Sequence, residues 1–378
     1  MMARLCDICA FQSGGTPSRQ NPGYFNGDIP WVTTTALNGS TISLENANEW
    51  ITLKAIEESA AKIVPVHSIL VGTRVGVGKV AINLVPMSTS QDIISLIGID
   101  QNQWNLDFLC KFLSSKSAYL NSQARGATIK GIKIETLAEL ELPNYSIPEQ
   151  HLISSTFNSL EKSIFLRKQQ LSKLDELVKS RFIELFIGKG YPTKTVEEVS
   201  LGKGEYGAQS ASSAYDPTRP RYVRITDIND DGTLNDDVVS SANFDDDEQY
   251  KLEYGDFMFA RMGATVGKAY AFIEGNQIFA GYLIRYRLNK GLINPRYLFW
   301  YTKLDEYWNW VKLNQSGAAQ PGINAKKYSS LQIPLPPIEE QNAFAAFVEQ
   351  TDKSKLAIQQ SLEKLETLKK ALMQKYFG

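Results

Sequence analysis

The chain contains a glycine-rich stretch, Gly72-Thr73-Arg74-Val75-Gly76-Val77-Gly78-Lys79, of the type that cradles phosphate. A phosphate loop needs glycine six positions before the lysine and Ser or Thr after it. Those places hold Thr73 and Val80, and around Gly267-Lys268 they hold Met262 and Ala269. Asn21-Pro22-Gly23-Tyr24 approaches the Asn-Pro-Pro-Tyr signature of amino-methyltransferases. No glycine-rich strand-to-helix turn for S-adenosylmethionine accompanies it, so it reads as a loop of turn formers. Cys6-Asp7-Ile8-Cys9 has redox or zinc spacing, but Cys110, His67 and His151 supply no second ligand pair, and the local reading is a strand with one buried thiol. Two histidines leave little material for general acid–base chemistry. The expectation is a chain that is not an enzyme and that holds neither metal nor cofactor.

Groups suited to contacting nucleic acid are better represented. Arg74 and Lys79, and again Arg261 and Lys268, lie on a Gly-rich turn between two β-like runs. Arg125, Lys130 and Lys133 flank Gly126 and Gly131, where the matching stretch has Gln315, Gln320, Lys326 and Lys327. Thr33 and Thr35, with Arg224 and Thr226 in the matching run after Tyr222, complete the candidate set. Arg reads guanine and Gln or Asn reads adenine through paired hydrogen bonds, whereas Lys mostly meets phosphate. The competing interpretation of each side chain is a solvated loop.

These turns recur because the chain is written twice, with a period of about 190 residues, far beyond a solenoid unit. Trp31 answers to Tyr222, Gly78-Lys79 to Gly267-Lys268, Asn105 to Asn294, Gly126 and Gly131 to Gly317 and Gly322, and Glu149-Gln150 to Glu340-Gln341. Setting Arg74 on Arg261 brings Gly78-Lys79 into line after a two-residue gap, and from Gly126 onward the offset is a constant 191. Each copy begins with β-rich runs (Trp31 to Thr35, Ser68 to Val71, Asp256 to Arg261) and one helical stretch, Leu106–Leu120 or Pro295–Leu313. That mixture predicts an α+β globule.

After a proline-bearing hinge each copy ends in a segment without internal Pro or Gly, Glu149–Ile187 and Glu339–Phe377. Ile153, Phe157, Leu160, Ile164, Leu171, Leu174, Val178 and Leu185 alternate spacings of four and three, skipping Arg167 and Arg181. That is a coiled-coil seam. Phe344, Val348, Ile358, Leu362, Leu365, Leu372 and Tyr376 repeat it, interrupted by Thr351, Lys355 and Lys369. Phe165, Leu166, Leu177, Phe182 and Phe186 fall off the seam and need other cover. The expected division is a globule at 1–146, a helix at 147–188, a second globule at 189–337 and a second helix at 338–378. Antiparallel helices would relate the copies by a pseudo-twofold axis, with the first and last residues close together.

Bulk properties limit the setting. The 378 residues suit two or three domains. Three cysteines argue against a disulfide framework, and no stretch nears the roughly 18 apolar residues of a membrane helix. Without an apolar leader, a cytoplasmic location is expected. Net charge of −1 and a pI near 6.3 count against a stand-alone nucleic-acid binder unless basic residues cluster or a partner supplies phosphate contacts.

The whole chain resembles the specificity subunit of type I restriction–modification systems. The resemblance is carried by Gly14-Gly15-Thr16-Pro17-Ser18 and Tyr24-Phe25-Asn26-Gly27-Asp28-Ile29-Pro30-Trp31. It continues in Leu142-Pro143 with Glu149-Gln150, and in Ile333-Pro334-Leu335-Pro336-Pro337-Ile338-Glu339-Glu340-Gln341 running into a helix that closes with Tyr376-Phe377-Gly378. It implies two target recognition domains, held apart by an antiparallel helix pair, each reading half of a split site on double-stranded DNA. It further implies two methyltransferase subunits and two ATP-driven restriction subunits as partners, with S-adenosylmethionine, ATP and magnesium on those partners only. The second copy departs from Gly-Gly-Thr-Pro, having Gly202-Lys203-Gly204-Glu205-Tyr206-Gly207. A bivalent protein-binding scaffold and a stand-alone DNA-binding regulator are the alternatives, separable by electrophoretic shift of DNA with and without a methyltransferase.

Overall fold

Alternating apolar residues and turn formers produce short strands throughout the computed structural model, which describes residues 3–39, 41–126, 131–317 and 321–378. The chain forms two units, residues 1–166 with 361–378, and residues 167–360. In the first unit a five-stranded sheet runs in the order Ala10–Ser13, Ile93–Ile97, Ile69–Gly72, Val80–Asn83, Thr41–Ile42. A four-stranded sheet runs Glu49–Ile51, Phe25–Val32, Met87–Thr89, Ile63–Val64. In the second unit a four-stranded sheet runs Glu205–Tyr206, Leu283–Arg287, Asp256–Ala260, Ala269–Ala271, beside a parallel pair, Arg221–Val223 with Gln277–Phe279.

Hydrogen bonds show that the repeat is structural. Trp31 Nε1 donates to the Gly15 carbonyl at 3.1 Å, and Tyr222 donates its hydroxyl to the Ala208 carbonyl at 2.8 Å. Gly14 N and Gly15 N donate to Ile93 O and Thr89 O, while Gly207 N and Ala208 N donate to Leu283 O and Phe279 O. Gly14-Gly15 therefore corresponds to Gly207-Ala208, which resolves the departure in the second copy. A Cβ on Gly14 would lie 2.2 Å from Ser90 O, and one on Gly207 2.4 Å from Phe279 O, so both places require glycine.

The Glu-Gln landmarks have an equally local cause. The buried Gln150 accepts from Asn105 N at 2.9 Å and donates to Gln103 O and Tyr145 O. Gln341 likewise accepts from Asn294 N at 2.9 Å and donates to Leu292 O and Pro336 O. Asn105 and Asn294 each cap a helix with the side-chain oxygen. One buried amide thus ties the start of each long helix to the globule before it.

The long helices span Ile147–Phe186 and Ile338–Phe377. The first begins two residues before the Pro-free segment that starts at Glu149, because Pro148 is tolerated in an opening turn. Ser146 caps it, donating N–H and O–H to the Glu149 carboxylate at 2.8 and 2.6 Å. Within the first unit Phe157 stacks on Phe377 at 5.8 Å, and Glu161 meets Lys369 at 2.8 Å. Within the second Phe182 meets Phe344 at 5.3 Å, and Asp175 pairs with Lys355. In each unit numbering rises along one helix as it falls along the other, so the pairing is antiparallel. Leu5 and Phe377 share one core.

Two of the three polar breaks in the second seam are answered by acids on the first helix, while Thr351 donates to Phe347 O of its own helix. Lys355 faces Asp175, and Lys369 faces Glu161, which also binds the buried Lys111. Phe182 and Phe186 are covered by the second unit's own core, whereas Phe165, Leu166 and Leu177 remain exposed.

Other expectations needed correction. The strand after Trp31 stops at Val32, because Thr33 turns its amide to Asn48 Oδ1 at 2.7 Å. The central helical stretches each break in two, at Lys116 and between Tyr301 and Asp305. Cys6 lies exposed on a short helix, Leu5–Ile8, that ends at Cys9, and the fully buried thiol is Cys110.

Burial pushes the Glu161 carboxyl up, but hydrogen bonds and charge from Lys111 and Lys369 outweigh it and hold the group below its usual range. A depressed carboxylate stabilises the fold above its unfolded pKa, and that stabilisation is lost as pH falls through the folded value. Glu161→Gln should cost about 2–3 kcal/mol at pH 7, less than for a fully buried pair because Glu161 is one-third exposed. Urea titrations should show the difference at pH 7 and its progressive loss as pH falls below the ordinary carboxylate range; an equal deficit throughout would contradict the ionic origin.

Candidate functional site

Three loops meet in the first unit. Gly72-Thr73-Arg74-Val75-Gly76-Val77-Gly78-Lys79 is closed by Gly72 N to Lys79 O (2.8 Å) and Gly78 N to Gly72 O (3.0 Å). The loop carrying Arg125 is pinned by paired backbone bonds between Arg125 and Gly131, and Ile132 N donates to Thr73 O at 2.8 Å. The Thr33–Asn38 turn reaches the same place, since Gly39 N donates to Val80 O and Thr34 packs on Gly72. Arg74, Lys79, Arg125 and Thr35 are exposed, and Thr33 is half-buried. Thr33, Thr35 and Asn48 share one network: Thr33 Oγ1 donates to Asn48 Oδ1 at 3.0 Å, and Asn48 Nδ2 donates to Thr35 Oγ1 at 3.1 Å.

The second unit repeats the arrangement with different contents. Ala260 N donates to Lys268 O (2.8 Å), Gly267 N to Ala260 O (3.0 Å) and Ile323 N to Arg261 O (2.9 Å). These bonds set Gly72 on Ala260, Lys79 on Lys268 and Thr73 on Arg261. The pairing of Arg74 with Arg261 is therefore one residue out, and Arg74 corresponds to Met262. A buried threonine and an arginine share one structural position, so the loops recur while their side chains differ.

Internal contacts separate the candidates of the second unit. Arg224 donates from its guanidinium and backbone to the fully buried Asp227, and again to Asp237 at 2.8 Å. Hydrogen bonding to Asp227 raises its pKa above the ordinary value. Two carboxylates thus engage its Nε and Nη2. Thr226 is exposed beside it. Lys268 pairs with Asp230 at 2.8 Å and donates to Ile228 O at 3.2 Å. Its hydrogen bond holds the Asp230 carboxyl below the usual range. Neighbouring Lys303 is pulled down to about 8 by burial. Gln315 is exposed at the end of helix Asp305–Asn314. Lys130 and Gln320 lie outside the described residues.

The loop glycines serve internal packing. A Cβ on Gly78, at φ +80°, would lie 2.6 Å from Ser117 Oγ, and one on Gly267, at φ +91°, 2.9 Å from Trp308. Tyr206 and Tyr282 were not among the sequence candidates, yet both are exposed beside Arg261. Tyr206 had one signal, the departure around Glu205-Tyr206-Gly207, and Tyr282 had none. Among the described residues no group of three or more His, Cys, Asp or Glu is placed to hold a metal, and no helix is long and apolar enough to cross a membrane.

The family model described as the type I restriction modification DNA specificity domain matches the chain twice, at residues 1–176 and 194–369. The MjaIX specificity subunit of a type I restriction enzyme from Methanocaldococcus jannaschii is 31% identical over 185 residues, covering 49% of this chain and 43% of that one. Alignments to the curated relatives matched first span less than half of those proteins. The S subunit of a type I system from M. genitalium is similar in fold at 14% identity and TM-score 0.61, over 100% of this chain and 96% of that one. A chain from a structure of type I complex assembly and conformational transition gives 18% identity and TM-score 0.63, over 100% and 97%.

Proposed function

This chain belongs to the family of type I restriction modification DNA specificity proteins, and from that premise we propose that it is the sequence-reading subunit of a type I complex. Residues 1–146 and 189–337 are its two recognition domains, each reading one half of a bipartite target on double-stranded DNA. The helices within 147–188 and 338–378 set the spacing and dock two methyltransferase subunits, with two restriction subunits joining them in the cytoplasm. The chain is not catalytic; S-adenosylmethionine, ATP and magnesium belong to the partners. Exposed Arg74, Lys79 and Arg125 in the first domain, and half-buried Arg261 with exposed Gln315 in the second, meet the duplex.

One observation carries this reading. The loop ending in Lys79 and the loop ending in Lys268 are closed by equivalent backbone bonds, each beside a second loop, and each lies inside one family match. Two similar scaffolds with unlike side chains suit two unlike half-sites. The near-neutral charge follows if the methyltransferase subunits supply much of the phosphate contact.

The test is methyl transfer from labelled S-adenosylmethionine to plasmid DNA. The purified chain should transfer none above a heat-killed control, and adding its methyltransferase should restore transfer. Methylation by the chain alone would contradict the assignment.

A further inference from the structure

We propose that Arg261 reads a guanine in the half-site of the second domain, from a platform made by Tyr206; this rests on the DNA-reading function above. Seven arginines fall between positions 219 and 296. Arg219, Arg224, Arg285, Arg287 and Arg296 are paired with carboxylates, and Arg221 donates to Asn235 O. Arg261 differs. Among the described residues its guanidinium lies over the Tyr206 ring at 4.7 Å and meets the Met262 sulfur at 3.7 Å, with no protein oxygen recorded as its acceptor.

The group is nevertheless held in place. Its backbone N–H donates to Tyr282 O at 3.0 Å, and its carbonyl accepts from Ile323 N at 2.9 Å. The Tyr206 hydroxyl accepts from Ala325 N at 3.1 Å, which fixes the ring beneath the guanidinium. Stacking satisfies the flat face of an arginine and leaves its edge donors directed outward. A preset fork of donors matches the paired acceptors O6 and N7 of guanine in the major groove. The equivalent place in the first unit is the buried Thr73, whose hydroxyl donates to Asp92 O, so this reader is confined to one half-site.

The experiment uses the full chain assembled with its methyltransferase, acting on a library of randomised duplexes whose methylated members are sequenced. R261A should abolish a guanine preference of about 10- to 100-fold at one position of one half-site and leave the other half-site unchanged. Y206A should relax the same position, and Y206F, which keeps the ring but loses the hydroxyl held by Ala325 N, should relax it to a smaller extent. Thermal melts of the variants check that each folds. Uniform weakening on all sequences with a shallower salt dependence would make Arg261 a phosphate contact and overturn the assignment. An R261A complex that selects the same bases as wild type overturns it alone. A wild-type complex without sequence selectivity overturns the DNA-reading function as well.

Discussion

Exchanging residues 1–146 for the matching segment of another family member should replace one half of the methylated sequence completely and leave the other half intact. The loops bearing Arg74, Lys79 and Arg125 are tied by bonds among themselves and to neighbouring elements of the same unit, such as Asn121 Nδ2 to Val77 O at 2.9 Å. The junction needs care. Ser146 caps the helix that starts at Ile147, and Gln150 reaches back to Asn105 N, Gln103 O and Tyr145 O. An incoming segment must therefore keep a capping residue at its end and present the same backbone groups to Gln150. Sequencing the DNA methylated by parent and exchange complexes supplies the comparison. If both halves changed together, the two domains would not be independent readers.

Phe182→Ala is expected to give the largest stability loss of any single substitution considered, about 3–5 kcal/mol. Phe182 is fully buried, with ring centroids 5.0 Å from Phe186, 5.1 Å from Tyr297 and 5.3 Å from Phe344. Removing it would open a cavity where the start of the second long helix, the end of the first and the globule core meet. Phe165, 60% exposed on the same helix, serves as the control, and Phe165→Ala should change stability by less than about 0.5 kcal/mol. Guanidinium unfolding of the two variants tests this. Comparable losses for both would mean that the exposed face of the helix is packed as tightly as the buried one.

Much of this fold was legible because its main features are periodic. The seam from Ile153 to Leu185 and its counterpart from Phe344 to Tyr376 needed only helical spacing, and the observed helices end within two residues of those expected. Even the polar breaks were legible as breaks, though their partners Asp175 and Glu161 emerge only when the helices pair. Off-seam Phe182 and Phe186 belong to a core assembled from distant segments, which no local pattern reveals.

The structure brings the candidate loops of each unit together, but their side chains could not be ranked from sequence. Arg224 and Arg261 look alike in a sequence, yet one is bound by Asp227 and Asp237 while the other lies on an aromatic ring. Setting Arg74 on Arg261 was natural for residue identity. The bonds Gly72 N to Lys79 O and Ala260 N to Lys268 O show that loop closure, which tolerates a one-residue difference in length, determines the correspondence.

The most direct measurement of the central claim is the DNA motif methylated by the complex of this chain with its methyltransferase, read by sequencing modified bases across a genome. The expected motif is two short defined half-sites separated by a non-specific spacer of constant length. A single continuous motif, or methylation with no motif, would contradict a subunit that reads DNA through two separate domains.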